Sequence, residues 1–156
     1  MSFPSVEGLN LQRKRVQLPD DFAGEINLLA IAFQQWHQEV VNSWIPFLEE
    51  LERSVPGLHY YELPTIQRLD PLSRVFINEG MRAGIRDRTT REKTITLYVD
   101  KQAFRESLSL PDESTIYLLA VDRAGNVLWR TQGPFSPAKT RSLLQMLRER
   151  VTSEEG

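Results

Sequence analysis

The chain has no cysteine, and this absence excludes more functions than any motif that is present. Without a thiolate there is no disulfide, no thiolate zinc site, no iron–sulfur ligation and no cysteine nucleophile. Histidine occurs only at His37 and His59, so we do not expect a histidine-rich metal site either. The sequence therefore predicts neither a metal nor another cofactor.

Long apolar runs and an excess of one charge are also missing. No apolar stretch approaches the ~20 residues that a membrane-spanning helix needs. The N-terminal segment lacks the apolar core and small-residue cleavage site of a signal peptide. The net charge of −2 gives no general attraction to nucleic acid or to anionic membranes. We expect a cytoplasmic protein that associates with a membrane only through a partner, and no nucleic-acid partner.

The composition that remains suits one globular domain over residues 1–156, with a loose lead-in over residues 1–10. The chain is 40% hydrophobic and 26% charged, which allows one good core. No repeat, linker or low-complexity tract divides it. The sequence does not indicate an oligomeric state.

The chain is organised around an apolar run at residues 26–33, a polar turn and a long amphipathic helix. The run predicts a strand buried on both faces. The helix is predicted over residues 35–54, with a kink at Pro46. Unpaired amides at a helix start make such a junction a natural site. The junction offers four side chains to a ligand or partner, namely Gln34, Gln35, Trp36 and His37.

Further patterns predict strands and helices along the rest of the chain. The predicted strands are 11–18, 58–63, 94–99, 115–121 and 127–131. The predicted helices are 70–85, 100–108, with Asp100 as its N-cap, and a last one from residue 137. This order predicts an α/β fold with a mixed sheet of four or five strands and helices on both faces.

This order of elements resembles the thioredoxin and peroxiredoxin-like fold. The central strand ends in Phe33-Gln34-Gln35-Trp36, similar to the aromatic-x-x-Trp ending in thioredoxins, and Pro46 resembles their helix proline. The segment LLAVDRAGNVLWRTQGP resembles their terminal hairpin. The cysteine positions read Trp36-His37-Gln38-Glu39-Val40, and the expected cis-proline position reads Lys93-Thr94-Ile95. The resemblance therefore implies a thioredoxin-like fold without redox chemistry.

A narrower resemblance covers residues 72–133. The segments GMRAGIRDRTTREKTITLY, DKQAFRESL and LLAVDRAGNVLWRTQG resemble the thioredoxin-like assembly factor family of mitochondrial ATP synthase. That family acts as a chaperone for the membrane-embedded a subunit. The resemblance implies a protein partner, a subunit of a membrane complex.

Basic residues are concentrated between residues 68 and 93, a stretch that contains seven basic and four acidic residues. Arg74, Arg82 and Arg86 belong to one helical stripe of four-residue spacing. The following loop carries Arg88 and Arg91, which the resemblance places near the vacated cysteine site. This stretch is either a docking surface for an acidic partner or lipid headgroups, or a solvated basic face.

We favour a redox-inactive binding module, a chaperone or assembly factor for a membrane complex such as ATP synthase. Two alternatives stay open: a cysteine-free enzyme or small-ligand site built around His37, Arg91 and Thr94, and a degenerate peroxiredoxin-like protein that only dimerises. For His37 we expect a partly exposed polar residue, because no Ser, Cys or second His stands near it in sequence. Catalysis is the less favoured interpretation.

Overall fold

Seven strands form one mixed sheet around the apolar run. The computed structural model describes residues 1–68 and 93–155, with side chains as far as residue 150. The strands are β1 Val6–Asn10, β2 Arg15–Leu18, β3 Ile26–Ala32, β4 Leu58–Gln67, β5 Ile95–Val99, β6 Tyr117–Asp122 and β7 Val127–Gln132. The helices of the same residues are α1 His37–Asn42, α2 Ile45–Ser54, α3 Lys101–Ser107 and α4 Pro137–Glu155.

The strand of the apolar run, β3, lies inside the sheet, whose order is β2-β1-β5-β4-β3-β6-β7. It pairs parallel with β4, with Leu28 opposite Tyr60, and antiparallel with β6, with Leu28 opposite Ala120. Asn27 interrupts the run, but its Nδ2 donates to the Gly24 carbonyl at 2.9 Å. The run thus buries apolar side chains on both faces without leaving this amide unpaired.

Alternate residues of β3 pack against helices on opposite faces of the sheet. Leu28 and Ala30 lie in a core with residues of α1, α2 and α4, while Leu29 and Ile31 lie in a second core with Phe104 of α3. The predicted α/β fold, a mixed sheet with helices on both faces, is confirmed.

The prediction of four or five strands and a loose lead-in is wrong, because the N-terminal residues form a β1–β2 hairpin. Strand β1 pairs antiparallel with β5, and Phe3 is buried. The side chain of Asn10 accepts hydrogen bonds from the amides of Gln12 and Lys14, which fixes the hairpin turn. The expected strand over residues 11–18 therefore begins only at Arg15.

The long helix predicted over residues 35–54 is two helices rather than one kinked helix. α1 ends at Asn42 and α2 begins at Ile45, with Pro46 in its first turn. A proline is well tolerated there because its missing N–H has no intrahelical partner to lose. Trp44, at the break, is buried, and its indole Nε1 donates to the Gly133 carbonyl at 2.9 Å.

The predicted helix over residues 70–85 lies outside the described residues. So do all the arginines proposed for docking, Arg74, Arg82, Arg86, Arg88 and Arg91. None of the helices described above has the length and apolar content that crossing a membrane requires.

Candidate functional site at the β3–α1 junction

The four junction residues divide into an exposed group and one buried side chain. Gln34, Gln35 and Trp36 are exposed, and Trp36 keeps 60% of its surface accessible. His37 is 0% exposed, with its ring edge-on to that of Trp36 at a centroid distance of 4.2 Å. The prediction of a partly exposed His37 is therefore wrong.

The imidazole of His37 is held by the chain segment that leads into α1. Its Nδ1 accepts the backbone N–H of Phe33 at 3.0 Å and that of Gln34 at 3.3 Å. A nitrogen that accepts in this way carries no proton, so the neutral ring carries its proton on Nε2. The Ser114 backbone is a hydrogen-bond partner of the ring, and since Nδ1 is occupied as an acceptor, Nε2–H is the group that can donate to it.

Burial keeps the His37 ring neutral. It lowers the pKa of His37, and the nearby Lys101 cation lowers it further. The Ser114 backbone and the Glu113 carboxylate act in the opposite direction on this pKa. Since its unprotonated nitrogen is already engaged by two amides, His37 has no lone pair with which to act as a general base.

Near His37, the carboxylate of Glu113 accepts hydrogen bonds from two side chains and pairs with a third. We call Gln34, Lys101, Arg105 and Glu113 the Glu113 cluster. Glu113 Oε1 accepts from Lys101 Nζ at 2.8 Å and from Gln34 Nε2 at 3.1 Å, and Arg105 Nε lies 3.5 Å from Oε2. Lys101 Nζ also donates to the Phe33 carbonyl at 3.0 Å. The cluster ties the loop before β6 to the junction.

The loop at residues 111–116 therefore lies at the junction. Residues 93–95, which the resemblance to thioredoxins identified as the cis-proline position facing the junction, do not lie there. Strand β6 is the antiparallel neighbour of β3, so the loop before it ends near the point where β3 ends. Thr94 instead forms an isolated parallel bridge with Glu62 of β4 and is buried. Strand β4 separates that position from β3. The structure does not place Thr94 with Glu113 and Ser114 beside His37.

A second polar group lies on the α1 side of β4. Glu62 is only 8% exposed, and its Oε1 accepts from Gln38 Nε2 at 3.1 Å. Burial raises the pKa of Glu62, and the hydrogen bond from Gln38 offsets part of this rise. Nearby on the same face, Lys93 forms an ion pair with Glu52.

Among the described residues, the junction combines hydrogen-bond donors with the rings of Trp36 and His37. In the part of the chain that the structure describes, no three His, Asp or Glu side chains could hold a metal ion. Sequence reasoning missed Lys101, Arg105 and Glu113. The four-residue spacing of Lys101 and Arg105 places both on one face of α3 and was a usable signal. Glu113 had none, because it stands in a loop.

A family model described as ATP10 protein matches residues 1–149. No curated protein matches the chain.

Several solved structures share its fold. The lipoprotein thioredoxin Etrx1 of Streptococcus pneumoniae is 16% identical, with a TM-score of 0.58 over 94% of this chain and 99% of that one. The thioredoxin domain of a Bacteroides vulgatus thiol-disulfide oxidoreductase is 14% identical, with a TM-score of 0.55 over 93% and 94%. BsSco, of the Sco family of cytochrome c oxidase assembly proteins, is 13% identical, with a TM-score of 0.62 over 97% and 94%. The predicted thioredoxin-like fold is confirmed.

Proposed function

Because the chain belongs to the ATP10 protein family, we propose that it is a redox-inactive thioredoxin-like binding module that assists the assembly of ATP synthase. The observation that carries this proposal is the family match over residues 1–149, in a chain without cysteine. Thiol chemistry needs a thiolate, so the junction does not carry out disulfide exchange, and we assign it a binding role. BsSco, which shares the fold, belongs to a family of assembly proteins, which supports the same use of this architecture.

The exposed side of the junction provides an anchor for a protein partner. Trp36 is one of only two exposed large hydrophobic residues among those described, the other being Met1. Exposed tryptophans flanked by polar side chains are frequent binding hot spots. Gln34 and Gln35 beside it supply amide donors and acceptors.

The partner that fits the family best is a subunit of the membrane-embedded part of ATP synthase. The chain would act as a single domain on the cytoplasmic side and reach the membrane through that subunit. We include the arginines of the basic stretch in the docking surface, on the support of their spacing in the sequence. They are Arg74, Arg82, Arg86, Arg88 and Arg91.

Co-purification tests this proposal. The tagged chain, expressed in its own cells at native level, should capture at least one ATP synthase subunit from detergent extracts. Trp36→Ala should reduce the captured amount about tenfold or more, since hot-spot tryptophans contribute roughly 2 kcal/mol or more. Gln145→Ala, an exposed position on α4, serves as the matched control and should capture as the wild type does. Capture of no ATP synthase subunit by the wild-type chain would contradict the proposal.

A further inference from the structure

Glu62 is a buried carboxyl group without a cationic partner among the described residues. Only 8% of the residue is exposed, and its Oε1 accepts from Gln38 Nε2 at 3.1 Å. Its pKa reflects burial and this hydrogen bond, with no contribution from a charged neighbour in the described part of the chain. Lys93, a cation on the same face, pairs with Glu52 instead. A carboxyl group buried to this extent is ordinarily paired, so its setting calls for an explanation.

Two amide side chains of α1 lie beside this carboxyl group. Gln38 and Asn42 are four residues apart, on one face of the helix. Gln38 Nε2 donates to Asn42 Oδ1 at 2.8 Å and to Glu62 Oε1, so both of its amide hydrogens are engaged. The atoms that Gln38 and Glu62 still offer to a ligand are the amide Oε1 and the carboxylate Oε2, which are both acceptors. We call Gln38, Asn42 and Glu62 the Glu62 site, and what it lacks is a donor with positive charge.

We propose that the Glu62 site binds the ammonium group of a lysine side chain of the polypeptide partner. The ammonium donates to Glu62 Oε2 and to Gln38 Oε1, and it compensates the carboxylate charge that the fold has buried. Attraction between opposite charges is stronger at a buried carboxylate than in water, because the surroundings are less polar. This inference rests on the proposed function and deepens it, because it gives the chemistry of one group that docks beside α1.

The geometry of the Glu62 site favours lysine over arginine. A guanidinium binds a carboxylate best through both carboxylate oxygens, but Gln38 already engages Glu62 Oε1. An ammonium is compact and is carried on a flexible four-carbon stem, so it suits an opening that leaves Glu62 8% exposed. Gln38 and Asn42 are exposed, and the proposed anchor Trp36 immediately precedes α1, so one partner is able to reach both places.

Three short peptides test the inference with the full chain. The probes are N-acetyl-Gly-Lys-Gly-amide and the same peptide with norleucine or arginine in place of lysine, followed through the NMR signals of Glu62 Cδ and the Gln38 side-chain amide. The lysine peptide should shift both signals saturably, the norleucine peptide should shift neither, and the arginine peptide should bind more weakly. Glu62→Gln keeps the side-chain size and an acceptor for Gln38 but removes the charge. Followed through the Gln38 signal, it should bind the lysine peptide about tenfold more weakly or worse.

The matched control is Glu39→Gln, because Glu39 is an exposed carboxylate on the same helix. It should bind the lysine peptide as the wild type does. The inference is overturned if the lysine and norleucine peptides shift the wild-type signals equally, or if a folded Glu62→Gln binds the lysine peptide as tightly as the wild type. Tighter binding of the arginine peptide would overturn the choice of lysine, and methylammonium binding as tightly as the lysine peptide would overturn the assignment to a polypeptide. None of these results affects the co-purification of ATP synthase subunits, so the two proposals fail separately.

Discussion

Two buried polar side chains, His37 at the start of α1 and Glu62 beside it on β4, determine what the junction can do. His37 has its acceptor nitrogen occupied by the amides of Phe33 and Gln34, which leaves only a donor. Glu62 has a carboxyl group at 8% exposure with Gln38 as its side-chain partner. Burial favours the neutral form of each group, because it lowers the pKa of His37 and raises the pKa of Glu62.

Glu62→Gln should stabilise the protein at neutral pH. The folded-state pKa of Glu62 is raised, so the folded state binds the proton more strongly than the unfolded chain. The resulting destabilisation is present above the folded pKa and is lost as pH falls through it towards the unfolded value near 4.3. Gln keeps an acceptor for Gln38, and its gain should be about 1 kcal/mol per unit of raised pKa.

Urea unfolding at a series of pH values measures this effect. The difference between Glu62→Gln and the wild type should be largest at pH 7–8 and should vanish near pH 4. Glu39→Gln, an exposed carboxylate on α1, should change the free energy of unfolding little at any of these pH values. A variant that is less stable than the wild type at pH 7 would show that the Glu62 charge is compensated.

At the residue scale, the sequence predicted where the junction lies in the chain better than it predicted what surrounds its side chains. The run into Trp36 and His37 located the junction, because a strand followed by a helix start is visible in the pattern. The surroundings of His37 were not visible, since Glu113 and Ser114, which act on its pKa, lie in a loop far along the chain. No local pattern connects such residues.

At the scale of elements, a hydrogen bond connects the start of α2 to the turn between β7 and α4. Trp44 is fully buried, and its indole N–H donates to the carbonyl of Gly133, whose φ of +82° suits glycine. This hydrogen bond connects the start of α2 to the end of β7, the strand at the edge of the sheet.

Trp44→Phe should lower the free energy of unfolding by roughly 2–4 kcal/mol. The change leaves the buried Gly133 carbonyl without this donor and removes ring volume from a packed core. Trp129→Phe is the matched control, because the Trp129 indole donates to Ser142 Oγ at 2.8 Å in an exposed setting. Its loss should stay below about 1 kcal/mol. Equal losses in guanidinium unfolding would refute the role given to Trp44.

Elements with a strong periodic pattern were predicted well, whereas the structure around Gly8 and Pro46 was not. The β6–β7 hairpin and Asp100, whose Oδ1 accepts from the Ala103 amide at 3.2 Å, agree with the pattern. Gly8 belongs to the segment expected to be a loose lead-in, yet it lies within β1, where a Cβ would stand 2.5 Å from Ile95 Cγ2. The close approach of two strands requires this glycine, and only the tertiary structure reveals it.

At the scale of the molecule, the order of elements gives the thioredoxin-like fold, and the missing cysteines exclude thiol chemistry. The sheet order, with β3 between a parallel and an antiparallel neighbour, is the thioredoxin-like arrangement that the pattern predicted. The family match spans residues 1–149. The contribution of the basic stretch stays a prediction, because charge spacing alone does not distinguish a docking surface from a solvated face.

The amount of assembled ATP synthase in cells that lack this chain is the most direct test of the central claim. Native gel electrophoresis of detergent-solubilised membranes should show a clear fall in the intact complex after deletion. The wild-type chain should restore it, although it contains no cysteine, and Trp36→Ala should restore it poorly. An unchanged amount of intact ATP synthase after deletion would contradict the claim.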